Sequence, residues 1–213
     1  IYGDSRFTSS KFLVRLLCGN DFNSRRSVYI VDGEEKWRFA TEGAIAGRPL
    51  LFRDMVIVGS FDKHLYGVDA DDGTLRWRIP GGNWFWAGAV ADESTIFAPN
   101  MDGNIYAVSG DGRFLWQYDL GSPIVSRPAL ISSGTGAAGS PKALVVAGKN
   151  SKRISLLDTS PGISDADRLL DIEFITDSEI KGPIFVDGNK LYVGTQGSQV
   201  FRLDLTARAG PLD

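Results

Sequence analysis

Two stretches with nearly the same pattern decide the fold. They read Leu65-Tyr-Gly-Val-Asp-Ala-Asp-Asp-Gly-Thr-Leu-Arg-Trp77 and Ile105-Tyr-Ala-Val-Ser-Gly-Asp-Gly-Arg-Phe-Leu-Trp116. A shorter version, Val28-Tyr-Ile-Val-Asp-Gly-Glu-Glu-Lys-Trp37, precedes both, so the three tryptophans follow one another at intervals of 40 and 39 residues. A period near 40 that preserves a turn and a tryptophan indicates that one small structural unit is repeated along the chain.

Each unit is predicted to contain two β-hairpins. In one, apolar residues from Leu65 lead into the turn Asp71-Asp72-Gly73 and the chain returns to Trp77, because Asp-Gly supplies the positive φ angles of tight hairpins. The other hairpin pairs 88–90 with 95–98, and its equivalents are 48–51 with 55–59 and 184–186 with 191–194. Four short antiparallel strands per unit, repeated with regular turns, predict an all-β fold, namely a β-propeller of four-stranded blades.

The repeats are predicted to cover residues 28–213, and residues 1–27 to form an irregular N-terminal segment. The units lie at about 28–39, 46–79, 87–118, 126–175 and 182–205, where the first and last are partial, which gives about four to five repeats. Two insertions in one unit, 132–140 and 159–167, are expected to be surface loops. Trp37, Trp77 and Trp116 are predicted to dock each blade on its neighbour, since burying a large ring stabilises by roughly 2–3 kcal/mol.

Composition excludes several classes of function. The chain has 213 residues and a formal net charge of −3, which gives no electrostatic reason to expect a nucleic-acid partner. Its single cysteine, Cys18, excludes an internal disulfide and any site built from several thiolates. Since no apolar run approaches the ~20 residues needed to cross a bilayer, no membrane span is expected.

The segment Val68-Asp-Ala-Asp-Asp-Gly-Thr-Leu-Arg-Trp77 resembles the PQQ-like propeller repeat, whose pattern runs Ala-x-Asp-x-x-Thr-Gly-x-x-x-Trp. It keeps the Asp, the Gly and the Trp with a contraction of one residue, and the phrases ending at Trp37 and Trp116 are shortened versions. The resemblance extends from about residue 28 to 205. Members of this family include quinone-dependent alcohol dehydrogenases and non-catalytic propellers, such as the lipoprotein of the outer-membrane β-barrel assembly machine.

The resemblance leaves ring size open. Family propellers usually have seven or eight blades, whereas this chain supplies about four units and an extra strand. Either strands from 28–39 complete the unit at 182–205 and close a small ring, or the chain is part of a larger propeller. We favour the larger propeller, because four-bladed rings lie at the low end of the range for this fold.

No catalytic residue, metal site or cofactor is predicted. A quinoprotein enzyme of this family would need a general base, a Ca²⁺ site and an aromatic floor for the cofactor. The carboxylates that recur here lie in or beside hairpin turns, where they cap backbone N–H groups: Asp69, Asp102, Asp111, Asp158 and Asp187. His64, the only histidine, is expected at a hairpin end, because a lone histidine lacks the partners that a base or a ligand needs.

Asn83-Trp84-Phe85-Trp86 is the main candidate for an interaction site. Alignment of the units places Phe85 with Ile45 and Ile124, which predicts a core residue. Trp84 and Trp86 replace smaller residues in a link between blades. Either they fill a gap inside the protein, or they form a patch that binds a partner or ligand, since exposed tryptophans are typical anchors of interfaces.

Arg48 and Arg127 are the second candidate. Each stands before a proline, Pro49 or Pro128, at the start of a strand that would face the mouth of the central channel. They could attract an anionic ligand or an acidic peptide. The alternative, which the sequence favours, is that each pairs with a carboxylate of a neighbouring blade.

These observations together predict a non-enzymatic β-propeller scaffold or interaction module within a larger assembly, either membrane-associated or at the cell surface. A protein partner or companion subunit is expected. The alternatives are a fragment of a quinone-dependent alcohol dehydrogenase and an extracytoplasmic domain that senses a ligand. An extracytoplasmic location, periplasmic or at the cell surface, is implied by the family resemblance only.

Overall fold

The computed structural model describes residues 36–131, 143–188 and 190–204, together with the strand pair Val14–Arg15 and Tyr29–Ile30. Most of the segment predicted to be irregular, 1–27, lies outside the described residues, as do the insertion at 132–140 and the end of the chain from 205. The second insertion contains a short 3-10 helix, Asp165–Asp167. No helix in the described part of the chain is long and apolar enough to span a bilayer.

The strands, numbered in chain order, are β1 Val14–Arg15, β2 Tyr29–Ile30, β3 Leu50–Phe52, β4 Met55–Gly59, β5 His64–Asp69, β6 Leu75–Pro80, β7 Val90–Ala91, β8 Thr95–Pro99 and β9 Asn104–Ser109. They continue as β10 Phe114–Asp119, β11 Ala129–Ile131, β12 Ala143–Ala147, β13 Arg153–Asp158, β14 Leu169–Ile175, β15 Ile180–Asp187, β16 Lys190–Thr195 and β17 Val200–Asp204.

Consecutive strands form consecutive antiparallel sheets, which we call blades. Blade 1 has the order β3-β4-β5-β6, blade 2 β7-β8-β9-β10 and blade 3 β11-β12-β13-β14. The described part of blade 4 has three strands, β15-β16-β17, and β1 pairs with β2 in a separate two-stranded sheet. This is the all-β architecture of four-stranded repeats that the sequence predicts.

The turn between the third and fourth strands shows why these residues form hairpins. In blade 1 the Asp69 carboxylate accepts the backbone N–H groups of Asp71 (2.8 Å) and Asp72 (3.2 Å). The guanidinium of Arg76 hydrogen-bonds to the same carboxylate and lowers the pKa of Asp69 below its usual value. Gly73 follows at φ 76°, a left-handed conformation that favours glycine.

The core consists of the layers between blades. Between blades 1 and 2 the buried side chains include Ile57, Leu65, Phe85 and Ile96. Two further layers join blade 2 to blade 3 and blade 3 to blade 4. At the beginning of the array, Trp37 and Ile45 of the leading segment (residues 36–48) cover the first face of blade 1. Each blade is thus held by apolar contacts with the next one, as stacked repeats require.

Blade 4 has no such neighbour on its far side within the described residues, so the array is open. In blade 1, Gly59 packs directly against the side chain of Phe85, which belongs to the link into the next blade. Gly194 occupies the equivalent position in blade 4, and a β-carbon placed there would have no atom of the described residues within 4 Å. On the same face Phe185 is 64% exposed. We call this face of blade 4 the open flank.

Candidate functional site

One face of the propeller carries the candidate residues. On this face the link that leads into each blade lies beside a turn between the second and third strands of a blade. The two are joined by a backbone hydrogen bond that recurs in every unit of the described chain. Turn N–H groups donate to link carbonyls as Phe61 N to Ala44 O (2.9 Å), Met101 N to Trp84 O (2.9 Å), Lys149 N to Pro123 O (2.5 Å) and Gln196 N to Glu179 O (2.9 Å). We call this surface the link face.

Buried Asn100 holds the link that contains Trp84. Its Oδ1 accepts the backbone N–H groups of Asn83 (3.2 Å) and Asp102 (2.9 Å), and its Nδ2 donates to Asn83 O (2.9 Å). The side chain of Asn83 in turn accepts the N–H of Trp84 (2.8 Å). Phe85 is buried, and its N–H donates to Ser60 O (3.2 Å). The link backbone is therefore fixed from both adjacent turns.

A tyrosine–aspartate pair ties each of two turns to its link. Tyr106 Oη donates to Asp102 (2.6 Å), and the same carboxylate accepts the N–H of Gly82 in the link (3.0 Å). Tyr66 and Asp62 make the equivalent bond in blade 1 (2.8 Å). Burial, with the bond to Asp102, raises the pKa of Tyr106 to about 12, and the same causes raise that of Tyr66.

Trp84 and Trp86 lie on the link face and stack with Phe61. The ring of Phe61 is nearly parallel to both indoles, with centroids 4.7 Å from Trp84 and 5.1 Å from Trp86. The two tryptophans are 40% and 41% exposed. We call these three residues the aromatic stack. Each tryptophan thus contacts Phe61 on one side and keeps a solvent-exposed part.

Phe61 was missed by reasoning from the sequence. It stands in the turn of blade 1 at the position that Met101 and Lys149 occupy in the next two blades, as the recurring turn-to-link hydrogen bond shows. The sequence did contain a signal for Phe61, because alignment of these turns places its aromatic ring where Met101 and Lys149 have flexible side chains.

A groove of about 300 Å³ begins at Trp86 and runs across the link face. Its lining comes from successive links and turns: Trp86, Met101, Val125, Lys149, Asn150 and Ile180. The groove thus adjoins the aromatic stack at Trp86, and its lining is partly apolar and includes Lys149.

Arg48 and Arg127 lie on either side of the start of blade 2. Arg127 is half-buried, and its Nε donates to Ala89 O (3.3 Å). Arg48 is exposed, and its backbone contacts Gly88, where a β-carbon would come within 2.5 Å of Arg48 O. Burial and the nearby charge of Arg48 lower the pKa of Arg127. Among the described residues neither arginine forms the ion pair with a neighbouring blade's carboxylate that the sequence favoured.

The three periodic tryptophans are not part of the link face. Trp37 Nε1 donates to Ala70 O (2.9 Å) and Trp77 Nε1 to Gly110 O (3.1 Å), in both cases 33 residues further along the chain. The ring of Trp37 lies against Gly73 in the turn of blade 1, and the ring of Trp77 lies against Gly112 in the turn of blade 2. Their role in docking the blades stays a prediction that measurements of stability can test.

Trp116 has a different partner, because the turn in blade 3 carries the insertion. The guanidinium of Arg168, which is 1% exposed, lies 3.7 Å from the Trp116 ring centroid. It donates to Asp158 O (2.9 Å) and Ile163 O (2.9 Å), so a buried cation joins the indole to the inserted loop. A depression of about 680 Å³ adjoins this contact on the outer side of the blades.

The titratable groups of the turns are engaged in local contacts. His64 Nδ1 lies 2.9 Å from Asp62 O, within its own turn. Asp111 accepts a hydrogen bond from Ser109, and this bond lowers the pKa of Asp111. In the ranges that the structure describes, no group of three histidine, cysteine or acidic side chains is arranged to hold a metal ion.

Comparison with known families decides which propeller this is. The model of the family described as outer membrane protein assembly factor BamB matches residues 15–209. The chain belongs to this family. The predicted PQQ-like propeller is therefore confirmed as both fold and family. No curated protein matches the sequence.

Solved structures are similar over most of the chain. BamB from Moraxella catarrhalis has a TM-score of 0.64 at 19% identity, and the match covers 90% of this chain and 57% of that protein. The computationally designed protein Ika8 has a TM-score of 0.69 at 16% identity, with 92% and 56% covered. The designed protein Ika4 has a TM-score of 0.64 at 16% identity, and the match covers 82% of this chain and 99% of that protein. At these identities the likeness shows the fold alone, and the chain spans little more than half the length of that BamB.

Proposed function

We propose that this chain is a non-enzymatic propeller scaffold that binds a protein partner through the aromatic stack. The observation that carries the proposal is the arrangement of Phe61, Trp84 and Trp86, which are partly exposed, in contact with one another and held on a fixed backbone. Clustered tryptophans are the residues that most often dominate binding energy at protein interfaces. A surface that is ordered before binding loses little conformational entropy when a partner arrives.

The family supports a scaffold. Its description names an assembly factor, and such a protein works through contacts with other proteins. The recurring carboxylates at Asp69, Asp102 and Asp111 hydrogen-bond within their own turns or to the adjoining link, as expected for structural residues. We extend the proposal to an extracytoplasmic assembly associated with a membrane, on the strength of the family description alone.

The size of the expected effect follows from the exposed area of the rings. A buried tryptophan covers up to roughly 250 Å², so the 40% of Trp84 that is exposed amounts to about 100 Å². Full coverage by a partner would contribute about 2.5 kcal/mol at ~25 cal/mol per Å². Removing either indole should therefore weaken binding by roughly 60-fold.

Selection from a peptide library displayed on phage provides the test. Peptides selected on the wild-type chain are synthesised with a fluorescent label, and their affinities are measured by anisotropy for wild type, Trp84→Ala and Trp86→Ala. We expect both variants to lose at least 30-fold in affinity. The melting temperature should fall as well, because the roughly 150 Å² of each ring that is already buried contributes about 4 kcal/mol at ~25 cal/mol per Å². Affinity is therefore measured well below the lowered melting temperature, with circular dichroism showing that each variant is folded.

Phe114→Ala is the matched control. Phe114 is 50% exposed but lies on the outer strand β10, away from the link face. Its replacement should leave affinity unchanged. If the selected peptides bind Trp84→Ala and Trp86→Ala as tightly as wild type, or if the melting temperature collapses while binding persists, the aromatic stack is structural and the proposal is wrong.

A further inference from the structure

The links and turns of the link face follow one another in a fixed order. Besides the turn-to-link bonds described above, links donate backbone N–H groups to the turn of the preceding blade: Phe85 N to Ser60 O (3.2 Å), Ile124 N to Asn100 O (3.1 Å) and Ile180 N to Ser151 O (3.1 Å). Each of these links is therefore bonded to a turn on both sides. Residues from consecutive links and turns must then succeed one another across the face in the order of the chain.

The chemistry of the groove changes along this order. It begins at the aromatic stack, which comes from the turn of blade 1 and the link into blade 2. Met101 and Val125 come next, and both are apolar and partly exposed. Lys149 and Asn150 follow in the turn of blade 3, where both are exposed, and the buried Ile180 lines the same end. The groove thus leads from aromatic rings past aliphatic side chains to a positive charge.

Lys149 sets the electrostatic preference of the groove, because it is the one charged side chain among the described residues that line it. Two acidic residues stand next to lining residues in the sequence. The carboxylate of Asp102 is held by three hydrogen bonds inside the protein, and Glu179 makes a contact of its own. A ligand that follows the groove away from the aromatic stack therefore meets an ammonium group, which favours a negative charge on the ligand.

We propose that the groove binds an extended segment of the protein partner, in which an aspartate or glutamate a few residues from the anchor on the aromatic stack reaches Lys149. This inference rests on the proposed function and adds the chemistry of the partner. Packed sheets lie about 10 Å apart, so the link between blades 1 and 2 is about 15 Å from the turn of blade 3. An extended peptide covers this distance with about four or five residues at ~3.3 Å per residue.

The geometry of an extended chain makes the expected pattern more specific. Successive side chains point to opposite sides, so every second residue of the peptide faces the groove. We expect an aromatic or large apolar residue on the aromatic stack, an aliphatic residue two positions further against Met101 and Val125, and the acid about two positions beyond that. The unbranched thioether of Met101 can adapt to aliphatic side chains of different shape, so the middle position should be the least specific.

The peptides selected on the wild-type chain also test this proposal. We expect them to carry an acidic residue about three to five positions from an aromatic one. Replacing that acid by its amide should weaken binding about two- to fivefold, the usual size for an exposed ion pair, and Lys149→Gln should do the same. On Lys149→Gln the acid and amide peptides should bind alike, because the interaction has already been lost.

Charge reversal sharpens the test. Lys149→Glu should weaken binding of the acidic peptide at least tenfold, and a peptide with lysine in place of the acid should bind this variant more tightly than it binds wild type. Lys152→Gln is the matched control and should leave affinity unchanged, since Lys152 is exposed in the same turn but does not line the groove. Val125→Asp places a negative charge in the apolar part of the groove and should also weaken binding at least tenfold.

A further arm separates a side-chain carboxylate from the end of a chain. Amidation of the peptide's C-terminus should leave affinity unchanged. If amidation weakens binding and replacement of the acidic side chain does not, the groove binds a chain terminus and the proposal is overturned. Selected peptides without acidic residues, or an acid dependence that persists on Lys149→Gln, overturn it as well.

The two proposals fail in different ways. If Trp84→Ala and Trp86→Ala lose binding while the Lys149 and Val125 variants keep it, the proposed function stands and the groove proposal is wrong. If only the Lys149 and Val125 variants lose binding, the groove alone is the docking surface and the proposed function fails. If the library gives no peptide whose affinity depends on either set of residues, both proposals are overturned.

Discussion

The contact between Trp77 and Gly112 offers a sharp test of how neighbouring blades hold each other. Gly112 has φ 83° and lies directly under the Trp77 ring, so that a β-carbon there would come 2.7 Å from Trp77 Cβ and closer still to Cγ. Gly121 has nearly the same backbone angle, φ 74°, but a β-carbon there would have no atom within 4 Å. Gly112→Ala and Gly121→Ala therefore share the backbone strain and differ in the contact with the neighbouring blade.

The magnitudes follow from those two terms. Alanine in the left-handed conformation costs about 1–2 kcal/mol, and both variants carry this cost. Forcing an extra carbon into a packed contact typically costs about 1–3 kcal/mol more, and here the contact is with the root of the Trp77 side chain, which cannot swing away. Gly112→Ala should thus lose about 2–5 kcal/mol and Gly121→Ala about 1–2 kcal/mol.

Urea unfolding followed by tryptophan fluorescence and far-UV circular dichroism measures the difference. Coincident curves from the two signals are required before free energies of unfolding are compared. In a Trp77→Ala background the extra cost of Gly112→Ala over Gly121→Ala should become smaller, because the contacts with Cγ and Cδ2 of Trp77 are gone and only the one with Cβ remains. Equal losses for the two glycine variants in the wild-type background would refute the reasoning, and Trp77 would then not dock blade 1 on blade 2.

Two other predictions concern the link face. Asn100→Ala should lower the free energy of unfolding by about 3 kcal/mol or more. The substitution leaves two backbone N–H groups and one carbonyl without partners, at about 1 kcal/mol or more each. The control is Asn104→Ala, whose side chain makes no hydrogen bond among the described residues and which should cost less than about 0.5 kcal/mol in the same urea assay. The pKa of Tyr106, raised to about 12, means that the folded state holds this proton more tightly than the unfolded state, so the stabilisation is complete below about pH 10 and is lost as pH rises from 10 to 12. Tyr106→Phe should flatten this alkaline loss in melting curves, and an unchanged slope would contradict the assignment.

The sequence was sufficient for the repeat and for most of the architecture. The spacing of Trp37, Trp77 and Trp116 and the Asp-Gly turns predicted four-stranded blades, because both features act within one unit and its neighbour. Alignment of the units, which placed Phe85 with Ile45 and Ile124, also predicted correctly that Phe85 is a core residue, and it lies between blades 1 and 2. Local periodicity carries this information directly.

The parts that escaped the sequence depend on contacts between different units. Phe61 lies far from Trp84 in sequence and meets it only because links and turns share a face. Within the described ranges Arg48 and Arg127 do not pair with a carboxylate, and Arg127 instead reaches Ala89 O in the preceding unit. Arg168 under Trp116 depends on the path of an inserted loop, which no periodic pattern describes.

The open flank has a consequence for the length of the array. Gly59 packs against Phe85 of the next link, whereas no described atom lies within 4 Å of a β-carbon placed at Gly194, so this face of blade 4 has room for a further link of the same type. Nothing in blades 1 to 3 would have to change for the series to grow by one member. We therefore expect that a graft of residues 81–119 behind Asp204 would pack its link and blade against the open flank without changes in the existing blades.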